Sequence, residues 1–129
     1  MMQPSMKAEK RITVGPEDTA EMVGSGTLPV LATPRMIALI EATASAAAAP
    51  GLEPGTSTVG TLVNVAHTSA TPVGMEVVCT AELIEVDRRR LVFQIDVRDA
   101  SGPVGSGTHE RFVVDDAKFM AKAESKLGA

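Results

Sequence analysis

The segment from Thr33 to Gly51, TPRMIALIEATASAAAAPG, constrains the fold of this chain more than any other. Thr33 suits an N-cap, Pro34 fits the first helical position, strong helix formers follow, and Pro50-Gly51 stops the run. Between Met36 and Ala49 only Glu41, Thr43 and Ser45 interrupt the apolar residues. A helix apolar on nearly all sides belongs inside something, and the rest of the chain supplies the wrapper. After the helix the hydrophobic period falls from about 3.6 to 2. Residues 57–68, 74–86, 90–98 and 104–114 each read as a strand, preceded by another at 7–14. Val77, Cys79, Ala81 and Leu83 share one face, as do Leu91, Phe93, Ile95 and Val97, with Arg90, Gln94, Asp96 and Arg98 outward. Glu17–Val23 reads as a helical turn before a Gly-rich loop, and residues 115–126 as a tail helix docking through Phe119 and Met120. Together these elements give an α+β plan, a curved antiparallel sheet wrapped around one central helix. A chain of 129 residues, 1–129, makes one such domain.

Composition excludes several function classes. Three Phe, no Tyr and no Trp leave few stacking platforms for bases, and a net charge of −4 offers no basic face to a phosphate backbone. Nucleic acid is therefore not an expected partner. Cys79 is the single cysteine, so neither an intrachain disulfide nor a multi-cysteine zinc site can form. Its place in an alternating strand implies a buried, inert thiol. No run approaches the roughly 20 apolar residues of a membrane span, and the first residues do not read as a signal peptide. The expectation is a cytoplasmic protein without a membrane partner.

Three residues stand out chemically. Glu41 lies mid-helix among Ile37, Ala38, Leu39, Ile40 and Ala42, so inward rotation buries a carboxylate in apolar surroundings. The competing reading, a solvated stripe, has Ser45 as its only polar neighbour one turn away. His67 ends the strand TVGTLVNVAH and enters the polar turn TSATPVG, where an imidazole is either a satisfied strand-end group or a titratable group at a pocket. Histidine and carboxylate within reach of one another suit general acid–base or nucleophilic work. Thr33 adds a hydroxyl at a helix N-terminus, where free N–H groups favour developing negative charge. The last strand carries GSGTHER, residues 105–111, whose glycines imply close backbone approach or a bulge. Their spacing matches neither a P-loop nor a dinucleotide turn. Arg111 either meets an anionic ligand or forms a surface ion pair, and His109 shares its face. A metal site of His67, His109 and Glu41 lacks helical ligand spacing, so no metal is expected.

TPRMIALIEATA, VGTLVNVAHTSATPVGMEV, AELIEVDRRRLVFQIDVRD and VGSGTHERFVV, in that order, resemble the fluoroacetyl-CoA thioesterase family of hot-dog fold proteins over roughly residues 30 to 122. The arrangement of elements also resembles the hot-dog fold. The resemblance implies hydrolysis of an acyl-CoA thioester to free acid and CoA by a set of Thr33, Glu41 and His67. It makes Gly60 a backbone oxyanion donor and Arg111 a pocket residue that binds substrate. It implies no cofactor beyond the CoA of the substrate, and a homodimer with active sites at the subunit interface. A non-hydrolytic acyl-CoA-binding protein and an enoyl-CoA hydratase are the other readings. The family carries aromatic residues in a lid before the helix, whereas Glu21 to Val30 here contain none. The resemblance therefore implies the catalytic set without implying a fluorinated substrate.

Overall fold

The computed structural model describes residues 1–128. Five antiparallel strands form one sheet: β1 (Lys7–Thr13), β2 (Thr56–His67), β3 (Glu76–Asp87), β4 (Arg90–Asp99) and β5 (Gly102–Asp115). Their spatial order is β1-β3-β4-β5-β2, which leaves β1 and β2 as the edges. Helix α1 (Ala20–Val23) precedes the long helix α2 (Thr33–Ala48), and α3 (Asp116–Glu124) follows the last strand.

Helix α2 lies against the sheet along one well-defined face. Met36, Leu39, Ile40, Thr43, Ala44, Ala47 and Ala48 are buried, at the i, i+3, i+4 spacing of one helical stripe. Opposite them the sheet presents Val77, Cys79, Ala81 and Leu83 from β3 and Leu91, Phe93, Ile95 and Val97 from β4, all essentially without exposure. The inward alternation expected of both strands is thus observed. Burial pushes the Cys79 thiol up to about 11, which keeps it protonated and unreactive at neutral pH.

Two expectations need correction. The α2 N-cap is Ala32, in extended conformation, with Met36 N–H bonded to the Ala32 carbonyl, so Thr33 is the first helical residue and Pro34 the second. The Thr33 hydroxyl is thereby free of capping duty. Helix α3 buries none of its residues, and Phe119 and Met120 remain 42% and 52% exposed. Its N-cap, Asp115, accepts from the Lys118 N–H at 3.0 Å, which fixes where it starts without docking it.

A β-bulge determines what faces the helix from β2. Gly60 pairs with Arg111 and Leu62 with Glu110, which leaves Thr61 as an extra residue. Side chains alternate along a strand, so one inserted residue reverses the parity of those that follow. Thr58 and Gly60 before the bulge, and Val63, Val65 and His67 after it, therefore share the inner face. Their β5 partners are Val113, Arg111, His109, Gly107 and Gly105 respectively. Both glycines of GSGTHER make the close approaches expected of them. A Cβ on Gly107 would collide with the Asn64 carbonyl, and one on Gly105 with the Ala66 carbonyl while crowding the Met36 sulfur.

Candidate active site

The start of α2 is anchored from its N-terminal side. Asp18, 8% exposed, accepts from Arg35 Nε at 2.9 Å and from the Gly15 N–H at 2.8 Å, while its carbonyl accepts from the Ala32 N–H at 2.9 Å. On the other side the Leu31 N–H donates to the Thr71 carbonyl at 2.9 Å. These bonds hold Thr33 beside the end of β2, where its Oγ1 lies 2.8 Å from His67 Nδ1. The second ring nitrogen, His67 Nε2, is buried and has no hydrogen-bond partner among the described residues. Buried polar atoms in that condition are rare and mark places where chemistry or a further group is accommodated. Thr33 and His67 open onto a cleft of about 320 Å³, also lined by Ala20, Ser25, Val30, Leu31, Thr68, Ser69 and Ala70. From the segment Glu21 to Val30, Ser25 and Val30 contribute to its wall, beside bridges pairing Thr19 with Leu31 and Val30 with Pro72.

Glu41 belongs to a second cluster. Eight residues beyond Thr33, it lies roughly 12 Å further along the helix axis. Its side chain is 43% exposed rather than buried, and Oε2 faces Arg111 Nη1 at 3.4 Å. The carboxylate rests over Gly60, where a Cβ would collide with Oε2. The visible effect of glycine at this position is thus room for the carboxylate. Thr33 and His67 meet within one chain, whereas Glu41 reaches neither of them.

Arg111 is not a surface residue, being only 7% exposed. Nε donates to Thr58 Oγ1 at 2.8 Å, Nη2 to the Thr58 carbonyl at 2.9 Å, and Nη1 to His109 Nε2 at 3.2 Å as well as to Glu41. Burial draws its pKa below the ordinary value, and the Glu41 carboxylate opposes that effect. An ion pair with Glu110 or Asp115 does not form, since Glu110 binds Arg90 instead. His109 is fully buried and uses both ring nitrogens, with Nδ1 2.7 Å from the Leu62 carbonyl. Neither nitrogen has a lone pair left for a metal, which removes the two-histidine metal reading. Thr58 and Asp18 had drawn no attention in the sequence. Thr58 shares the face of Gly60 by simple alternation, while nothing local singles out Asp18.

An antiparallel five-stranded sheet packed on one long central helix makes this a hot-dog fold protein. The fold matches the crystal structure of a hot-dog-like protein from Thermanaerovibrio acidaminovorans with TM-score 0.89 at 20% identity, over 99% of this chain and 95% of that one. A sequence model of the fluoroacetyl-CoA-specific thioesterase family matches residues 14–117, and the chain belongs to that family. The fluoroacetyl-CoA thioesterase of Streptantibioticus cattleyicolor is 46% identical over 100 residues, covering 78% of this chain and 72% of that protein. A solved structure of a fluoroacetyl-CoA thioesterase superposes with TM-score 0.91 at 38% identity, over 98% of each chain. The chain is accordingly an acyl-CoA thioesterase, which hydrolyses the thioester to free acid and CoA. No helix among the described residues is long and apolar enough to cross a membrane.

Proposed function

We propose that the chain hydrolyses an aliphatic acyl-CoA thioester in a site completed by two copies, with Thr33 and His67 from one subunit and Glu41 of the partner subunit. The observation that carries this reading is the division of the set. Thr33 and His67 are 2.8 Å apart within one chain, and Glu41 stands two helical turns away on Arg111. Two features favour a second copy. β2 is an edge strand of 12 residues that contains neither proline nor lysine, with Leu62 51% exposed, and such an edge invites pairing. Beside it, α2 turns Ala38 and Ala42 to solvent, small residues that permit close approach of another helix. A two-fold axis perpendicular to β2 pairs the two β2 edges antiparallel and sets the neighbouring α2 helices antiparallel as well, so that the start of one can face the middle of the other.

In the proposed reaction the thioester carbonyl lies at the start of α2. The Thr33 hydroxyl and the N–H of Gly60 of the partner subunit, which arrives with that subunit's Glu41, stabilise the oxyanion there, and losing one such donor typically costs about 10²–10³ in rate. Glu41 attacks the carbonyl or activates the water that does so, and His67 protonates the departing thiolate. Arg111 serves this reading by holding the Glu41 carboxylate rather than by binding the substrate directly. The wall from Glu21 to Val30 offers no aromatic ring to the acyl group, so the proposal extends to aliphatic acyl chains and not to fluoroacetyl. No cofactor and no metal enters the scheme, and the cytoplasm, where acyl-CoA and a free buried thiol both persist, is the proposed location. Free-thiol release across a panel of acyl-CoA esters, with Glu41→Gln and His67→Ala as controls, tests the reading. Turnover of none of them by the wild-type protein would sink it. Single-turnover hydrolysis in ¹⁸O water then addresses Glu41, because label entering its carboxylate identifies it as the nucleophile.

A further inference from the structure

His109 sits at the centre of the second cluster, and no step of the proposed reaction uses it. It lies opposite Val63 on β2 and Phe93 on β4, fully buried. Its protonation follows from its neighbours. A guanidinium has only donors to offer, so Arg111 Nη1 at 3.2 Å requires a lone pair on His109 Nε2. The ring proton must then reside on Nδ1, where it donates to the Leu62 carbonyl at 2.7 Å. That carbonyl belongs to the first residue after the β2 bulge, so the bulge sets the tautomer.

The donors of Arg111 divide the same way. Thr58 takes Nε and Nη2, and His109 takes one N–H of Nη1. The other Nη1 N–H is thereby aimed at Glu41 Oε2. Without the acceptor at His109, one Nη1 N–H is left buried and unsatisfied, and the Nη1 edge of the planar guanidinium loses a contact that holds it beneath Glu41. The charged groups acting on His109 are Arg111 on the same face of its own strand, Glu41 from α2 and, from the opposite face, Glu110, with none from β2 or β4. Burial and Arg111 both work against a positive charge on His109, which keeps the Nε2 lone pair available.

We propose that His109 is a positioning residue for the Glu41 carboxylate, acting through its Nε2 lone pair on Arg111, with the proton held on Nδ1 by the Leu62 carbonyl. This rests on Glu41 being the reacting carboxylate, and two substitutions separate positioning from packing. In His109→Asn the amide retains a donor near the Nδ1 position but has no acceptor at Arg111. In His109→Gln an amide oxygen reaches the Nε2 position while the bond to Leu62 is lost. Misplacing a reacting group by about 1 Å costs on the order of 10²-fold, so H109N is expected to lose about that much in kcat with KM within about threefold. H109Q is expected to recover at least about tenfold of the loss, even where its melting temperature is the lower of the two. Equal kcat losses in both variants, losses that track melting temperature, or a wild-type kcat in H109N would each overturn the proposal.

A second measurement is independent of turnover. ¹⁵N NMR of histidine- and arginine-labelled wild-type protein is expected to show His109 as the neutral Nδ1–H tautomer, and an Arg111 Nη signal that shifts in H109N. A proton on Nε2, or an unmoved Arg111 signal, would overturn the proposal. Failure of the wild-type protein to release thiol would instead strike the function reading, leaving the NMR result to decide the His109–Arg111 linkage.

Discussion

The two halves of the candidate site are built on opposite principles. Around Glu41 nearly every donor is committed: Arg111 serves Thr58, His109 and the carboxylate, and His109 serves Leu62 and Arg111 in turn. At the start of α2 the Thr33–His67 pair makes one hydrogen bond and leaves His67 Nε2 buried without a partner among the described residues. The first half is organised before any ligand arrives, as electrostatic stabilisation requires. The second half holds a proton-carrying group in reserve. One half fixes charge and the other is free to move a proton, a division of labour that suits hydrolysis of a thioester.

The comparison can be broken most severely at the two groups proposed to react. Glu41→Gln and His67→Ala are each expected to reduce kcat by about 10²–10⁴-fold, the range over which positioned acid–base groups contribute. Each variant should stay folded, because Glu41 is half-exposed and the His67 ring contributes one hydrogen bond. Mixing the two inactive proteins under conditions of subunit exchange tests how the halves are shared. If Glu41 and His67 act across subunits, half of the randomly formed dimers are mixed and each mixed dimer has one intact site, so about a quarter of wild-type turnover should return. If both act within one chain, every site in the mixture carries a substitution and no activity returns.

A smaller effect is expected at Gly60. Alanine there places a Cβ against Glu41 Oε2. The carboxylate ends a flexible side chain and can swing aside, so the melting temperature should change little. Its displacement from Arg111 is expected to lower kcat by roughly 10²-fold. A kcat within about threefold of wild type would show that the committed half tolerates movement, and the contrast between the halves would lose its force.

The sheet and helix were legible from the sequence because period and turn chemistry agreed along the chain. The clean alternation of Leu91, Phe93, Ile95 and Val97 appears unchanged as the buried face of β4. Applied to β2, strict alternation would set Gly60 and His67 on opposite faces, and the bulge at Thr61 reunites them. A bulge costs one residue of register and leaves only a faint trace in composition. Glu41 was conspicuous as a charge in an apolar helix, yet its pairing with Arg111 was not, since burial across β2, β5 and α2 is invisible from any one segment; from the residues alone Arg111 was left between an anionic ligand and a surface ion pair. Thr33 was read both as a cap and as a hydroxyl at the helix start, and only the cap is corrected. The cap passed to Ala32 because the extended backbone there already accepts the first helical bond.

The smallest expected effect concerns stability rather than rate, and it isolates the committed half. Burial, with Arg111 alongside, holds the His109 pKa below the ordinary imidazole value of about 6.5. Above that value the ring is neutral in both folded and unfolded chains, and His109 contributes nothing to the pH dependence of stability. As pH falls below it the unfolded chain takes up a proton that the folded chain refuses, so the unfolded state gains by up to about 1.4 kcal/mol per pH unit. The loss levels off once pH passes the lowered folded pKa. Glu110, held low by Arg90, adds its own loss only further down, as pH approaches the carboxylate range. Denaturant titrations of the wild-type protein should therefore show stability declining from about pH 6.5 towards pH 5, and H109Q should flatten that decline. An unchanged slope in H109Q would mean that His109 accepts its proton as readily folded as unfolded. The lone pair on which Arg111 depends would then be lost at mildly acid pH, and the Glu41 half of the site would be no more fixed than the His67 half.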